Sequence, residues 1–395
     1  MSAKLVAVDI GNSETEMIFD GVLCRQPSVV KSIPKKPNIP EEKVSRRIAN
    51  LLDEMIVHIS SNAVKKQGLY FVGERAASSG QNLMNMNILL GNKHKNDIPV
   101  IMTLSMIAAR EIQSYYQENK KLPEDNFLRT EIDFSTMIPA SEYNKERASF
   151  LQDRFKGNSH TVIVNVGETL VTVSIKFNRV KVTQEGIPAH YALIQGKEDI
   201  LDTFKETYLD DLTQKNVNPM DFKDKKILMV NIGDGSTEYI YIKNMNPVSD
   251  ACSGEQKGIG HATEQAIQIL KEQMDSGFSI NRQQFMKIYR DPDHNLHEVV
   301  KPTLTDAKMI QAEEIIESIS EKVLTELSGE CQYILVYGGG SIELKDVMFE
   351  DLLDFSNNNY VKLLWIPEQY AVDLDVTGLD ILNQKVFFKQ PSSKV

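Results

Sequence analysis

Leu228–Ile242 reads LMVNIGDGSTEYIYI. Leu228, Met229, Val230 and Ile232 form an apolar run that stops at Gly233, and a second β-rich run, Tyr239–Ile242, follows at once. The pattern predicts a strand, a tight glycine turn and a returning strand. The turn holds Asp234, Gly235, Ser236 and Thr237. Glycine lets backbone come close to a ligand, successive N–H groups in such a turn form an anion nest, and the hydroxyls add donors that suit a phosphate. Val6–Thr15, VAVDIGNSET, repeats the theme with Asp9, Gly11, Asn12 and Ser13. One such turn reads as an ordinary hairpin. A strand–turn–strand written twice, far apart, points to two similar half-domains whose turns face a common cleft.

A third glycine segment strengthens the phosphate reading. Tyr333–Tyr337 is a buried-type strand, and Gly338-Gly339-Gly340-Ser341 follows it. Such a run lets a ligand lie flat on backbone, and a helix starting near Ile342 adds its N-terminal dipole. Asp9, at a strand end, suits the ordering of water around a nucleotide-bound Mg2+, which keeps several waters and takes few protein ligands. The alternative for Asp9 is a turn-capping role. A further hairpin, Thr161–Val166 with Leu170–Ile175 across Gly167-Glu168, imitates the phosphate turns, and spacing alone does not separate it from Asn231–Thr237.

The rest reads as scaffold. Val100–Gln113 has a helical apolar stripe, as does Thr305–Leu327, where Ala312, Ile316, Ile319, Val323 and Leu327 recur every three or four residues and Thr305 is the N-cap candidate. Ser141–Phe155 has helical spacing, and Val180–Thr183 reads as a separate short strand. Gly254–Gly260 is a glycine-rich turn before a helix at His261–Met274, and Lys31–Pro40 is an exposed loop. His294 and His297 lack a third metal ligand.

Composition bounds the function. The 395 residues exceed one small core and imply two domains or more. With 44 Lys and Arg against 55 Asp and Glu, the net charge is −11. An acidic chain is a poor direct binder of nucleic acid, so a link to DNA would run through a basic partner. The three cysteines, Cys24, Cys252 and Cys331, show no metal or disulfide spacing and read as reduced thiols of a cytoplasmic protein. There is no secretory leader pattern and no apolar run of membrane-spanning length.

The ordered segments resemble the superfamily of actin, chaperone and sugar-kinase ATPases, and within it the ParM-type plasmid-segregation actin-like proteins. The resemblance rests on Ile138–Tyr143 (IPASEY), Val180–Tyr191 (VKVTQEGIPAHY) and Val336–Leu344 (VYGGGSIEL), and is weakest over Ser28–Gln67. It implies an α/β, actin-like ATPase fold with two similar domains of sheet and helix around a nucleotide cleft: residues 1–194 with 373–395, and residues 195–372. It places the second phosphate turn at Asn231–Thr237 rather than at Asn165–Thr169.

The resemblance also implies roles. Asp9 would order the waters of Mg2+. Gly11, Asn12 and Ser13, with Gly233, Asp234, Gly235, Ser236 and Thr237, would contact phosphates. Glu185 matches the glutamate that positions the attacking water, and Gly339, Gly340 and Ser341 would hold the ribose and adenine side of ATP, with GTP as the alternative nucleotide. Two positions depart from the pattern. Glu16 stands where many actin-like first turns carry a lysine, and Asn231 stands where the second turn has an aspartate; Asp234 is the candidate to replace that charge. Weakened, slow hydrolysis or an altered metal dependence is the expected consequence. The implied partners are further copies of the chain, joined head to tail into a filament, and a basic DNA-binding adaptor. Other classes are a monomeric sugar- or acetate-type kinase, a filament scaffold with little hydrolysis, and a chaperone ATPase. The last needs a peptide-binding domain, for which the residues after Ser341 leave no room.

Overall fold

The computed structural model describes residues 3–80, 82–86, 92–274 and 279–389. The chain divides into two compact units: residues 1–138, 142–188 and 376–395, and residues 139–141 with 189–375.

The first unit is built on a ten-stranded sheet. From one edge it runs Val22–Pro27, Glu14–Phe19, Lys4–Ile10, Phe127–Ile138 and Thr169–Gln184, then continues through His160–Val166, Ile56–Ser61, Gly68–Val72, Val29–Ser32 and Met84–Asn85. Lys4–Ile10, Phe127–Ile138 and Thr169–Gln184 lie parallel, and the strands to either side of these three pair antiparallel to them. Val6, Val8, Ile132, Phe134 and Val173 are fully or almost fully buried, as strands covered on both faces require. The 22-residue helix Ile98–Asn119 packs into this core, longer at both ends than its apolar stripe predicts. The short strand expected at Val180–Thr183 is the end of a continuous 16-residue strand whose register shifts between Phe177 and Arg179.

The second unit repeats the first five strands in smaller form. Ser253–Glu255 pairs with Thr237–Lys243, which pairs antiparallel with Lys226–Ile232; Tyr333–Tyr337 and Lys362–Trp365 then follow in parallel. Register makes the repeat concrete. Ile10 faces Thr15 and Asp9 faces Glu16 in one hairpin; Ile232 faces Thr237 and Asn231 faces Glu238 in the other. Each turn therefore spans four residues. The α/β architecture with two related sheets is the one the sequence predicts.

Helix starts differ from the sequence reading: the helix expected at Ser141–Phe155 runs Lys145–Lys156, and the one expected at His261–Met274 runs Ile259–Gln273. The long helix begins at His297, not at Thr305, and carries Pro302 inside it; the Thr305 hydroxyl bonds back to the Lys301 carbonyl instead of capping. Ala312, Ile319, Val323 and Leu327 are buried as expected and Ile316 is partly buried against the same core; Ile319, Val323 and Leu327 contribute about 1.5–3 kcal/mol each. The helix after the triple glycine begins at Gly339, three residues before Ile342, because Gly338 alone makes the turn at φ 95°. The three cysteines are free thiols. Among the described residues no helix is long and apolar enough to cross a membrane, and no group of three or more His, Cys, Asp or Glu side chains is gathered to hold a metal ion.

Candidate functional site

In the first unit the site residues gather at the carboxyl ends of the three parallel strands, where open α/β sheets bind ligands. Asp9 is the next-to-last residue of Lys4–Ile10, and Glu185 directly follows Thr169–Gln184. The strand between them ties in Glu185, whose amide donates to the Ile138 carbonyl at 3.0 Å. The turn Gly11–Asn12–Ser13 is close-packed: a Cβ on Gly11 would stand 2.6 Å from the Glu14 carbonyl oxygen. Behind the turn, the Ser28 amide donates to the Ser13 carbonyl, and the Thr15 and Ser28 hydroxyls bond at 2.8 Å. Among the described residues the Asn12 and Ser13 amides make no hydrogen bond.

A residue that the sequence reading passed over completes this cluster. Lys93 Nζ lies 3.0 Å from Glu185 Oε1, and both side chains are about nine-tenths buried. Burial works against the lysine's charge, yet Glu185, Asp9 and Glu142 together outweigh it and hold the ammonium above its ordinary pKa. Glu16, where the resemblance expects a cation, is a buried carboxyl side chain.

In the second unit three glycine segments converge. Carbonyls of the turn are taken by the start of helix Ile259–Gln273: Ile259 N donates to Gly233 O, Gly260 N to Asp234 O, and His261 Nε2 bonds Gly235 O at 2.9 Å. The Asp234, Gly235 and Ser236 amides make no hydrogen bond among the described residues, as an anion nest requires. Glycine is mandatory where these segments touch. A Cβ on Gly258 would meet Asp234 O at 2.4 Å; on Gly338, Asn231 Oδ1 at 2.4 Å; on Gly340, Gly233 O at 3.0 Å. The structure thus brings Gly338 and Gly340 against the turn that holds Asn231–Thr237, whereas a Cβ on Gly339 would meet nothing within 4 Å. The Ser341 hydroxyl is buried and donates to the Gly338 carbonyl, so it supports the bend. The segment Gly254–Gly260, read from sequence only as a turn, is the third wall.

Asp234 does not stand ready to replace the missing aspartate. Its carboxylate receives Arg282 Nη1 at 2.5 Å, and burial keeps its pKa raised despite that partner. Asn231 instead has Asp375 beside it, with Nδ2 3.5 Å from Oδ2. Asp375 is 2% exposed and is held by the Tyr337 hydroxyl at 2.9 Å and the Ala189 amide at 3.1 Å. A carboxylate therefore sits next to Asn231, supplied by a helix instead of the hairpin. Neither Lys93, Arg282 nor Asp375 carries a sequence signal, since each is dozens of residues from its partner.

The imitation turn is structural. Asn165 donates to the Ile56 carbonyl and Gly167 turns the hairpin at φ 64°. His294 Nδ1 accepts the Leu296 amide and His297 packs buried at the helix start.

No family model matches the chain, and no curated protein does. Solved structures do. The crystal structure of the actin-like protein Alp7A matches with 19% identity, covering 96% of each chain, at a TM-score of 0.66. A 15-stranded ParM filament from Clostridium botulinum matches with 17% identity over 97% of this chain and 99% of that one, at 0.64. ParM of Bacillus thuringiensis with ATP matches with 13% identity over 97% and 98%, at 0.60. The chain has the actin-like fold. The resemblance drawn from Ile138–Tyr143, Val180–Tyr191 and Val336–Leu344 is borne out at that level.

Proposed function

We propose that the chain is a ParM-type actin-like ATPase that binds ATP, hydrolyses it and assembles head to tail into filaments that segregate plasmid DNA through a basic adaptor. The observation that carries this reading is the repeated four-residue turn, set in the same register at the carboxyl end of a parallel strand in each unit, with amides left for an anion.

The residues fit a magnesium nucleotide. Mg2+ keeps most of its waters and binds phosphate oxygens, so it needs one well-placed carboxylate and no protein cage. Asp9 is that carboxylate, with Asn231 able to bond a metal-held water. The bound ion would neutralise charge on the phosphates. Gly11–Ser13 and Asp234–Ser236 would hold the phosphates through backbone amides and the Ser13 and Ser236 hydroxyls, and Gly339 and Gly340 would hold the adenosine, while the Thr237 and Ser341 hydroxyls, which donate to the Lys257 and Gly338 carbonyls, fix the bends. Glu185 would take a proton from the attacking water as the water oxygen bonds the γ-phosphorus and the bond to ADP breaks. In such a reaction positioning and electrostatics do most of the work. Glu16 puts a carboxyl group in place of a cation and Asn231 puts a neutral amide in place of a carboxylate, which makes slow turnover the expectation.

Assembly follows from symmetry. Identical chains joined by a head-to-tail contact that does not close form a helical filament. Nucleotide would favour the polymerising state and hydrolysis would weaken it. A net charge of −11 suits a basic adaptor as the link to DNA.

Negative-stain microscopy and phosphate release, both with ATP and magnesium, test this together. Filaments and released phosphate are expected. A chain that neither binds ATP nor assembles would end the proposal, and turnover that rises only with a sugar or acetate would turn it into a kinase. Glu185→Gln is expected to assemble normally while phosphate release falls by about 10²–10⁴-fold.

A further inference from the structure

The first turn lacks its expected cation. Position 16 is a buried glutamate whose backbone pairs with that of Asp9. A triphosphate brought to amides alone would leave its terminal charge poorly met. Within the first unit one buried ammonium lies beside the site carboxylates, and it belongs to Lys93.

Lys93 is not needed to place its own segment. The Asn92 amide donates to Glu142 at 3.0 Å. Arg154 bonds the His94 carbonyl at 3.0 Å, the Asn96 carbonyl at 2.6 Å and the Asp97 carboxylate at 2.7 Å. These contacts fix residues 92–97 while leaving Lys93 a different task. Its ammonium faces Glu185, with Asp9 and Glu142 near enough to strengthen its charge. One positive group among three carboxylates is an arrangement that holds the lysine in place yet leaves its best partner replaceable.

We propose that Lys93 is the γ-phosphate-binding cation of this site, and that its ion pair with Glu185 keeps the glutamate idle until a triphosphate draws the ammonium away. This rests on the ATPase reading above and adds a residue and a control to it. A carboxylate bonded to an ammonium is a weak proton acceptor, because the bond stabilises its charged form. A terminal phosphate carries more negative charge than a carboxylate and competes for the same donor. Binding ATP would then release Glu185 toward water in the same event. ADP, without the terminal group, would leave the pair closed. The discrimination between ATP and ADP thus comes from one lysine exchanging partners.

The test is affinity, not turnover. A non-hydrolysable ATP analogue and ADP, each with magnesium, are titrated calorimetrically into the full-length protein, Lys93→Met, Lys93→Arg and Glu185→Gln. Lys93→Met is expected to lose about ten- to a hundredfold in affinity for the triphosphate, the worth of a charged hydrogen bond, and about twofold or less for ADP. Lys93→Arg should keep part of the preference. Glu185→Gln removes the competitor, so triphosphate affinity should rise about threefold or more while ADP affinity stays put. Equal losses for both nucleotides, or none, would overturn the role of Lys93 even with the parent protein binding ATP well. A parent protein that binds neither nucleotide would remove the ATPase reading itself, and this inference with it. Should Lys93→Met fail to fold by thermal melting, the Lys93→Arg and Glu185→Gln titrations decide the matter.

Discussion

The turns at Gly11–Glu14 and Gly233–Ser236 share length and register, and the amides of Asn12 and Ser13 in one and of Asp234, Gly235 and Ser236 in the other make no hydrogen bond among the described residues, yet the two turns are supported by different means. In the second unit the chain passes Lys257, whose carbonyl accepts the Thr237 hydroxyl, and then becomes helix Ile259–Gln273. The start of that helix fastens three carbonyls of the turn. In the first unit the chain passes Ser28, which bonds the Thr15 hydroxyl, and then becomes strand Val29–Ser32. A strand, not a helix, follows that turn's brace. Lys93, paired with Glu185 and close enough to Asp9 to feel its charge, stands near it instead. The repeat thus diverges at the residue after an equivalent hydroxyl contact. One copy is fastened to the start of a helix, and the other stands beside a buried lysine–glutamate ion pair.

The largest expected effect follows from removing the helix brace. Gly258→Ala puts a methyl 2.4 Å from the Asp234 carbonyl oxygen and 2.7 Å from that of Gly233, so backbone must move. The second unit should lose about 1–3 kcal/mol, as overpacked sites do. Gly11→Ala meets a single carbonyl oxygen at 2.6 Å and should cost the first unit less. Urea unfolding of both variants measures the difference, and equal costs would mean that the helix does not stiffen its turn.

A smaller effect probes the unequal charges at Asp9 and Asn231. Restoring the usual residue with Asn231→Asp sets a second carboxylate beside buried Asp375. Two like charges at such a distance raise one pKa, and every tenfold change in proton affinity is worth about 1.4 kcal/mol. We expect Asn231→Asp to lose stability at neutral pH and the double variant Asn231→Asp, Asp375→Asn to recover it. Failure of the double variant to recover would show that Asp375 and Asn231 do not share one charge.

The hairpins were legible because their chemistry is local. An apolar run, Asp or Asn, Ile and Gly fix strand, turn and approach within ten residues, and the copy at Val6–Thr15 repeats them. The triple glycine was legible as a bend at the end of a strand. Its helix start was not, since glycine has poor helix propensity and the segment 339–341 gives no other sign of being helical. The Thr305 start was misread for the reverse reason: a good capping residue followed a proline, and the helix ran through both. Lys93, Arg282 and Asp375 were illegible in principle. Their partners lie 92, 48 and 144 residues away, and no period or spacing joins them.

The smallest effect is in acid. His160 and His94 in the first unit, and His190 in the second, all have pKa values lowered by burial. A carbonyl can only accept, so the His160 ring nitrogen that bonds the Phe155 carbonyl at 2.7 Å carries the proton, and the other faces the Ser61 hydroxyl at 2.8 Å. These bonds fix the tautomer, and burial disfavours a second proton on the ring. The unfolded chain takes up a proton near 6.5 while the folded chain resists it until lower pH. The stability these rings contribute is therefore complete above about 6.5 and is lost as pH falls through the folded values. Two such rings stand in the first unit and one in the second, so the first unit should weaken more. Hydrogen exchange at about pH 7.5 and about pH 5.5, above the carboxylate range, should show the larger loss of protection in strands of the first unit. His160→Gln should reduce that loss, keeping the donor to Phe155 without a titrating ring; an unchanged loss would assign the acid sensitivity to other groups.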